Sequence, residues 1–205
     1  MFPGKTYRDA GQYASAYLAE LTRAAQAIDG SAVEAAAGLV SEAFTADRTV
    51  FVCGNGGSAA ISNHLLCDFA KGIQTDTTIR PKVVSLSANL EIITAIANDI
   101  SFDDVFVFQL RTAARAGDLV LTISSSGNSE NIVRPLQWAR DNGLRSIAFT
   151  GFDGGRSAKL ADVNVHVPAH NYGVVEDLHQ SAMHILAQFL RLKNMDPKLV
   201  GARKF

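Results

Sequence analysis

The chain has 205 residues, 47% of them hydrophobic and 19% charged, which is typical of a single globular domain. Its formal net charge of −1 argues against binding to nucleic acid through overall charge, and no apolar run is long enough to cross a bilayer. Two cysteines, Cys53 and Cys67, are too few for a secreted disulfide framework, and the first residues lack the apolar segment of an export signal. We therefore expect a cytoplasmic protein that binds neither nucleic acid nor membrane.

Two helical patterns come first. Apolar residues at three- and four-residue steps predict an amphipathic helix over residues 5–28, and an alanine-rich stretch predicts a second helix over 31–44, with Ser31 as candidate N-cap. Two helices before the first strand exceed what a small sheet needs for cover, so they are candidates for a subunit interface. We divide the single predicted domain into these helices, residues 1–46, and an α/β core, residues 47–205.

The first predicted strand, residues 49–53, runs into a glycine-rich turn, and a helix follows to about residue 72. Gly54, Gly56 and Ala59 fit the spacing of the dinucleotide-binding fingerprint. That fingerprint also needs an acidic residue at the end of the second strand, but this strand, residues 82–86, ends among serines. A nucleotide site is therefore disfavoured, and a Walker A loop is excluded because no lysine precedes Ser58.

The next turn of interest follows the third predicted strand. Residues 119–123 form a continuous apolar run, typical of a strand buried on both faces of a parallel sheet. The turn after it contains Ser124, Ser125, Ser126 and Ser129, whose hydroxyls and backbone N–H groups favour an anion at the start of the following helix. A helix N-cap is the alternative, but one serine suffices for a cap. We predict a phosphate or sugar-phosphate site, held by neutral donors because the turn has no lysine or arginine.

The rest of the chain continues the alternation of strand and helix. Helices are predicted over 90–99 and 103–116, another follows the serine-rich turn, strands over 146–150 and 163–167 come next, and a long helix covers 174–192. This order predicts a three-layer α/β/α sandwich with a five-stranded parallel sheet. Ligands of such sheets bind beyond the carboxyl ends of the strands, near the switch point in strand order. Both unusual turns lie at such ends.

Side chains able to bind a metal recur on two predicted helices. His64 and Asp68 are four residues apart and share a face of one helix, and Glu176, Gln180 and His184 follow four-residue steps on the last. Two imidazoles and two carboxylates could bind a divalent cation, Zn²⁺ being the usual candidate. The alternative is a surface pair on the first helix and a solvated start to the last one.

Five motifs in this sequence resemble those of the sugar isomerase (SIS) domain family. Within that family they resemble the sedoheptulose-7-phosphate isomerases, also called phosphoheptose isomerases. The resemblance covers nearly the whole chain and keeps the order of the motifs. They are CGNGGS over residues 53–58, AND over 97–99, ISSSGNS over 123–129, TGFDGG over 150–155, and EDLH over 176–179 followed by His184.

The resemblance implies a flavodoxin-like sheet and a homotetramer with active sites between subunits. It implies that the sugar phosphate is bound by Asn55, Ser58, Ser124, Ser126 and Ser129, with Asp99 near the sugar chain. We add Gly56, Ser125 and Glu176 to the expected substrate-binding set. The metal and acid–base positions of the family fall on His64, Asp68, Glu176 and His184.

Three positions depart from the pattern of this family. Asp68 stands where the family has a catalytic Glu, Glu176 where it has a Gln ligand, and Gly173 where an Asp often assists proton transfer. A misplacement of about 1 Å can cost about 10²-fold in rate, so we expect the shorter side chain of Asp68 to weaken catalysis.

The implied reaction interconverts sedoheptulose 7-phosphate and D-glycero-D-manno-heptose 7-phosphate through an enediol. Asp68 would be the base, His184 the acid–base partner, and Zn²⁺ the electrophile. The alternative is a non-catalytic SIS protein that binds a sugar phosphate or a protein partner.

Overall fold

Strands and helices alternate along residues 2–205, the part of the chain that the computed structural model describes. The five strands are β1 (Thr49–Gly54), β2 (Lys82–Ser85), β3 (Leu119–Ser124), β4 (Arg145–Thr150) and β5 (Val163–His166). The helices are α1 (Ala10–Gln26), α2 (Gly30–Thr45), α3 (Gly57–Cys67), α4 (Leu90–Asp99), α5 (Val107–Ala113), α6 (Glu130–Asp141), α7 (Gly155–Leu160) and α8 (Tyr172–Asn194). The predicted α/β class and the five-stranded parallel sheet are confirmed.

The sheet has the strand order β2-β1-β3-β4-β5. The chain moves outward from β1 to β2, then returns to the other side of β1 for β3, so the switch point lies between β1 and β3. Their pairing sets Gly54 opposite Ile123. Every residue of β3 is buried, as its unbroken apolar run predicts. The two unusual turns therefore leave neighbouring strands at the same edge of the sheet.

Helices cover both faces of this sheet. The core on one face combines buried residues of α2, α3 and α8 with the strands, and the core on the other combines those of α4, α5 and α6. The prediction that the N-terminal helices are not needed to cover the sheet is wrong for α2, because its Val40 and Phe44 belong to the first core. Helix α1 buries only Ala24 and packs against α8. The N-cap of α2 is Asp29 rather than Ser31, since the Asp29 carboxylate accepts hydrogen bonds from the Ser31 N–H and hydroxyl.

Three helical segments differ from the sequence-based prediction. The helix after the glycine turn ends as an α-helix at Cys67. A π-helical turn, Asp68–Ile73, follows it where the α-helix was predicted to extend. The segment predicted as one helix over 103–116 is a 3₁₀ turn, Phe102–Asp104, followed by the shorter α5. Helix α7 was not predicted, because it has only six residues and begins beside two glycines with positive φ. Within residues 2–205, no helix combines the length and the apolar character needed to span a membrane.

One histidine of α8 points into the core. His179 is fully buried beside the ring of Phe149, and neither of its ring nitrogens has a hydrogen-bond partner among the described residues. Burial lowers the pKa of His179 to about 4 because a charged imidazole loses its hydration there. The nearby Thr150 backbone favours the charged form slightly, but its geometry does not amount to a hydrogen bond. His179 is therefore neutral in the folded protein near pH 7, rather than part of a solvated helix start.

We predict that His179 makes the protein sensitive to mild acid. The unfolded chain takes up a proton at this residue below the ordinary pKa of 6.5, whereas the folded chain does so only near 4. Stability should therefore fall as the pH is lowered from 6.5 towards 4, by about 3 kcal/mol in total from this group. Denaturant unfolding of His179→Leu across this range, at fixed protein concentration, should show a shallower pH dependence by close to one proton.

The exposed Gln188, further along α8, provides the control for this measurement. Gln188→Leu changes no titratable group, so it should keep the pH dependence of the wild type. Parallel pH profiles for the wild type and His179→Leu would contradict the prediction, whatever the stability of the variant at neutral pH.

Candidate functional site

The glycine turn after β1 and the serine-rich turn after β3 meet at the switch point. Two asparagines join them: the Asn55 amide donates to Asn131 Oδ1 at 2.9 Å, and the Asn131 amide donates to Asn55 Oδ1 at 2.8 Å. Asn131 is buried in the first turn of α6, so this reciprocal pair connects both turns to the start of that helix. The pair fixes the separation of two loops that carry most of the predicted substrate-binding residues.

The glycine turn packs too tightly for side chains. A Cβ on Gly54 would lie 2.5 Å from the backbone oxygen of Ser58, which is itself buried. Gly56 has φ +53 and forms the N-cap position of α3. A Cβ on Gly57 would collide with the carboxylate of Glu176 from α8. This turn therefore brings the backbone of the α3 N-terminus and one acidic side chain to the same point.

The serine-rich turn keeps several hydroxyls available. Ser124 Oγ accepts from the Gly127 N–H at 3.1 Å and thereby shapes the turn. Ser129 occupies the N-cap position of α6, but its side chain makes no capping hydrogen bond. Ser125 Oγ is buried without a partner in the described part of the chain, and Ser126 is partly exposed. Ser126 Oγ also accepts from the Asn128 N–H at 3.3 Å. Anion binding by these hydroxyls stays a prediction.

The turn after β4, which contains the TGFDGG motif, and the start of α7 donate backbone hydrogen bonds to the serine-rich turn. The Gly151 N–H donates to the Ser125 carbonyl at 3.0 Å, and the Ser157 N–H donates to the Gly127 carbonyl at 2.9 Å. The nearby Arg156 donates to Glu130 at 2.7 Å, so its charge is already paired. This motif therefore has a supporting role, and the serine-rich turn offers neutral donors, as predicted.

A group of three side chains able to bind a metal lies between α3 and α8. Ligand atoms of His64, Asp68 and His184 all lie within 4.8 Å of one another. His64 Nε2 is 3.4 Å from Asp68 Oδ1, and His184 Nε2 is 3.4 Å from Asp68 Oδ2. A tetrahedral cation with bonds of about 2.0–2.1 Å has neighbouring ligands about 3.4 Å apart, so the spacing suits such an ion. All three side chains are partly exposed, which leaves the group open to a small molecule.

Gln180 is the residue that the sequence analysis left without a role. Its amide contacts His64 Nδ1 at 2.8 Å and His184 Nε2 at 3.2 Å, so it touches both imidazoles. The signal was present in the sequence, because Gln180 precedes His184 by four residues and so shares its helix face.

Two predicted site residues lie outside this group. Glu176 was expected as a fourth ligand, but its carboxylate packs against Gly57 at the glycine turn instead. Burial there, with a smaller effect of the Asp177 charge, raises the pKa of Glu176 above its ordinary value. Asp99 lies at the exposed end of α4, where it accepts a hydrogen bond from Asn98. The structure thus groups three of the four predicted ligands and leaves Asp99 apart.

Tyr17 of α1 lies over the first turn of α8. Its hydroxyl donates to the carboxylate of Asp177, and burial together with this hydrogen bond raises the pKa of Tyr17 well above its ordinary value. A Cβ on Gly173 would lie 2.9 Å from the Tyr17 hydroxyl oxygen. The position where the resemblance leads us to expect an aspartate is therefore occupied, in this chain, by a tyrosine from the N-terminal helix.

Comparison with known proteins agrees with this architecture. The family model described as "SIS domain" matches residues 12–151, which include both turns and all of α3. A phosphoheptose isomerase from Citrifermentans bemidjiense is 35% identical over 171 residues, covering 83% of this chain and 88% of the relative. One from Synechocystis is 32% identical over 182 residues, covering 87% and 93%.

Solved structures give the same result. The structure of phosphoheptose isomerase GmhA from Neisseria gonorrhoeae superposes with a TM-score of 0.81 at 31% identity, covering 89% of this chain and 98% of the other. Because this match covers 89% of the chain, it extends beyond residue 151, where the matched family segment ends.

Proposed function

The chain belongs to the SIS domain family, and we propose that it is a phosphoheptose isomerase, an aldose–ketose isomerase of sedoheptulose 7-phosphate. The observation that carries this proposal is the presence of two kinds of group on segments that follow the neighbouring strands β1 and β3. The turn after β3 is rich in neutral donors, which suits a phosphate. Helix α3, which starts at the turn after β1, carries His64, and Asp68 lies in the π-helical turn that follows it, where both approach His184.

The reaction transfers a proton between C1 and C2 of the sugar. From the ketose, a base removes a proton from C1, the enediol forms, and a proton returned to C2 gives the aldose. We assign the base role to Asp68 and the acid–base role at the sugar oxygens to His184, whose facing atoms are 3.4 Å apart. The serine-rich turn binds the phosphate at the far end of the sugar and orients C1 and C2 towards these groups. Glu176, at the glycine turn, is a proposed contact to the sugar.

We further propose that His64, Asp68 and His184 bind one divalent cation, with Zn²⁺ as the candidate. Hydrogen bonding among these groups supports a cation. A neutral imidazole has only one N–H. In every arrangement of the two neutral imidazoles, the Asp68 carboxylate and the Gln180 amide, at least one close contact therefore joins two donors or two acceptors. A divalent cation held by His64, Asp68 and His184 would remove this conflict, and it would supply a Lewis acid for the sugar oxygens.

The alternative is a SIS protein that binds a sugar phosphate without turnover. The serine-rich turn alone would serve that function. Three acid–base side chains with atoms within 4.8 Å of one another favour an enzyme. We also infer a cytoplasmic location, which the two unpaired cysteines, Cys53 and Cys67, support.

Incubation with sedoheptulose 7-phosphate in deuterated water, followed by NMR, tests the proposed activity. We expect the aldose heptose 7-phosphate to appear with deuterium at C2, because the base exchanges the proton taken from C1 with the deuterated solvent before a proton is returned to C2. Asp68→Asn should lower the rate by about 10²-fold or more while keeping the fold, since it removes the base but retains the size.

Asp141→Asn, at the exposed end of α6, serves as the control and should retain full turnover. Binding of the sugar phosphate without any product from the wild-type protein would overturn the isomerase proposal and favour the non-catalytic alternative.

Changing Ser126→Ala and Ser129→Ala together should weaken sugar-phosphate binding by about tenfold or more, because two donors to the phosphate are lost. Neither hydroxyl caps α6, so the thermal midpoint should change little. Calorimetric titration with inorganic phosphate and with the sugar phosphate measures the effect. An unchanged affinity in both titrations would place the phosphate elsewhere.

A homotetramer is the expected assembly, and two separate apolar surfaces support it. On α8, Ile185, Phe189 and Leu192 are exposed and share one face; they adjoin a cleft of about 480 Å³ between α1, α2 and α8. On the opposite layer, Leu90 and Ile100 of the α4 region are exposed. A closed tetramer built from two kinds of two-fold contact needs two such surfaces, whereas a dimer needs one.

Light scattering at micromolar concentration should give a tetramer. Ile185→Glu with Phe189→Glu should reduce the assembly to dimers or monomers, because buried charges oppose association. Val84→Glu, an exposed apolar position on edge strand β2, is the matched control and should leave the mass unchanged. A wild-type monomer at this concentration would exclude the assembly and a shared active site.

A further inference from the structure

The orientation of one amide decides whether the group between α3 and α8 can accept a cation. Gln180 Nε2 faces His64 Nδ1 at 2.8 Å and His184 Nε2 at 3.2 Å. With the nitrogen in this place, the amide donates to both imidazoles. His64 must then carry its proton on Nε2, facing Asp68, and the His184 Nε2 lone pair is already used. Both imidazole atoms that face Asp68 are therefore closed to a cation.

The opposite orientation has the reverse effect. Turning the amide by half a rotation exchanges its nitrogen and oxygen without moving any other atom. The Gln180 oxygen then accepts from His64 Nδ1–H, so the His64 proton resides on Nδ1 and the Nε2 lone pair points to Asp68. The lone pair of His184 Nε2 is freed at the same time. Metal-bound histidines generally donate their other N–H in this way to an oxygen.

We propose that Gln180 is a positioning residue that selects the metal-binding tautomer of His64, by presenting its amide oxygen to Nδ1 whenever a divalent cation is bound. This inference rests on the proposed cation, and it assigns a role to the only contact of His64 Nδ1 found in the described part of the chain. Gln180 does not need to bind the ion itself. In the cation-free protein the amide nitrogen faces both imidazoles and donates hydrogen bonds to them. A cation must displace these hydrogen bonds in order to bind.

Two variants separate acceptance of a hydrogen bond from mere packing. Gln180→Leu keeps the approximate size but has no acceptor, whereas Gln180→Glu keeps oxygen acceptors and cannot donate. Gln188→Leu makes the same change two turns further along α8, at an exposed position, and serves as the matched control. The measurement is Zn²⁺ affinity, by competition with a chromophoric chelator at neutral pH.

Loss of an outer partner of a ligating histidine lowers metal affinity by about 10–100-fold, so Gln180→Leu should show a loss of this size. Gln180→Glu should bind Zn²⁺ at least as tightly as the wild type, and Gln188→Leu should match it. Long-range ¹H–¹⁵N NMR of the zinc-loaded wild type, with His64 assigned through His64→Ala, should place the His64 proton on Nδ1.

Affinity of Gln180→Leu within twofold of the wild type, or a His64 proton on Nε2 in the zinc-loaded protein, would overturn this inference. Absence of Zn²⁺ binding by the wild type would overturn it as well. These outcomes are independent of the isomerase proposal, because turnover of sedoheptulose 7-phosphate is measured separately and can persist without the tautomer selection.

Discussion

The pairing of β1 with β3 is the contact on which the candidate site depends. It sets Gly54 opposite Ile123, so the chain leaves both strands at the same height and on the same edge of the sheet. Backbone hydrogen bonds of a parallel ladder fix this register, and the buried apolar faces of both strands prevent a slip by one residue. The reciprocal amide pair of Asn55 and Asn131 then holds the two turns together across the gap. Without this register, the serine-rich turn and the N-terminus of α3 would not lie side by side.

Helix α8 presents different residues on three faces, and only one of these faces borders the candidate site. One face presents Glu176, Gln180 and His184 to the glycine turn and to α3. Another buries His179 against Phe149 in the core, where no water is available to solvate a charge. A third exposes Ile185 and Phe189 at the outer surface. Because these residues belong to one helix of 23 residues, a shift of α8 would move all three faces together.

Sequence reasoning captured the fold because the relevant signals are local. The apolar run ending at Ile123 and the serines after it marked a buried strand and its turn, and both are present. The layer that α2 covers could not be predicted, since an alanine-rich pattern does not say which surface it meets. Spacing also could not choose between Glu176 and Gln180. Both share the helix face of His184, and only the rotation of α8 against α3 places the amide, rather than the carboxylate, beside the imidazoles.

The contact between Tyr17 and Gly173 couples helix α1 to helix α8. Space at position 173 is occupied by a hydroxyl that is fixed by Asp177 and flanked by the rings of Phe2 and Tyr13. A Cβ at position 173 would press on that hydroxyl oxygen, so a larger side chain there requires the Tyr17 ring to shift. Because such a shift strains the hydrogen bond to Asp177, the effects of substitutions at positions 17 and 173 on the free energy of unfolding should not be additive.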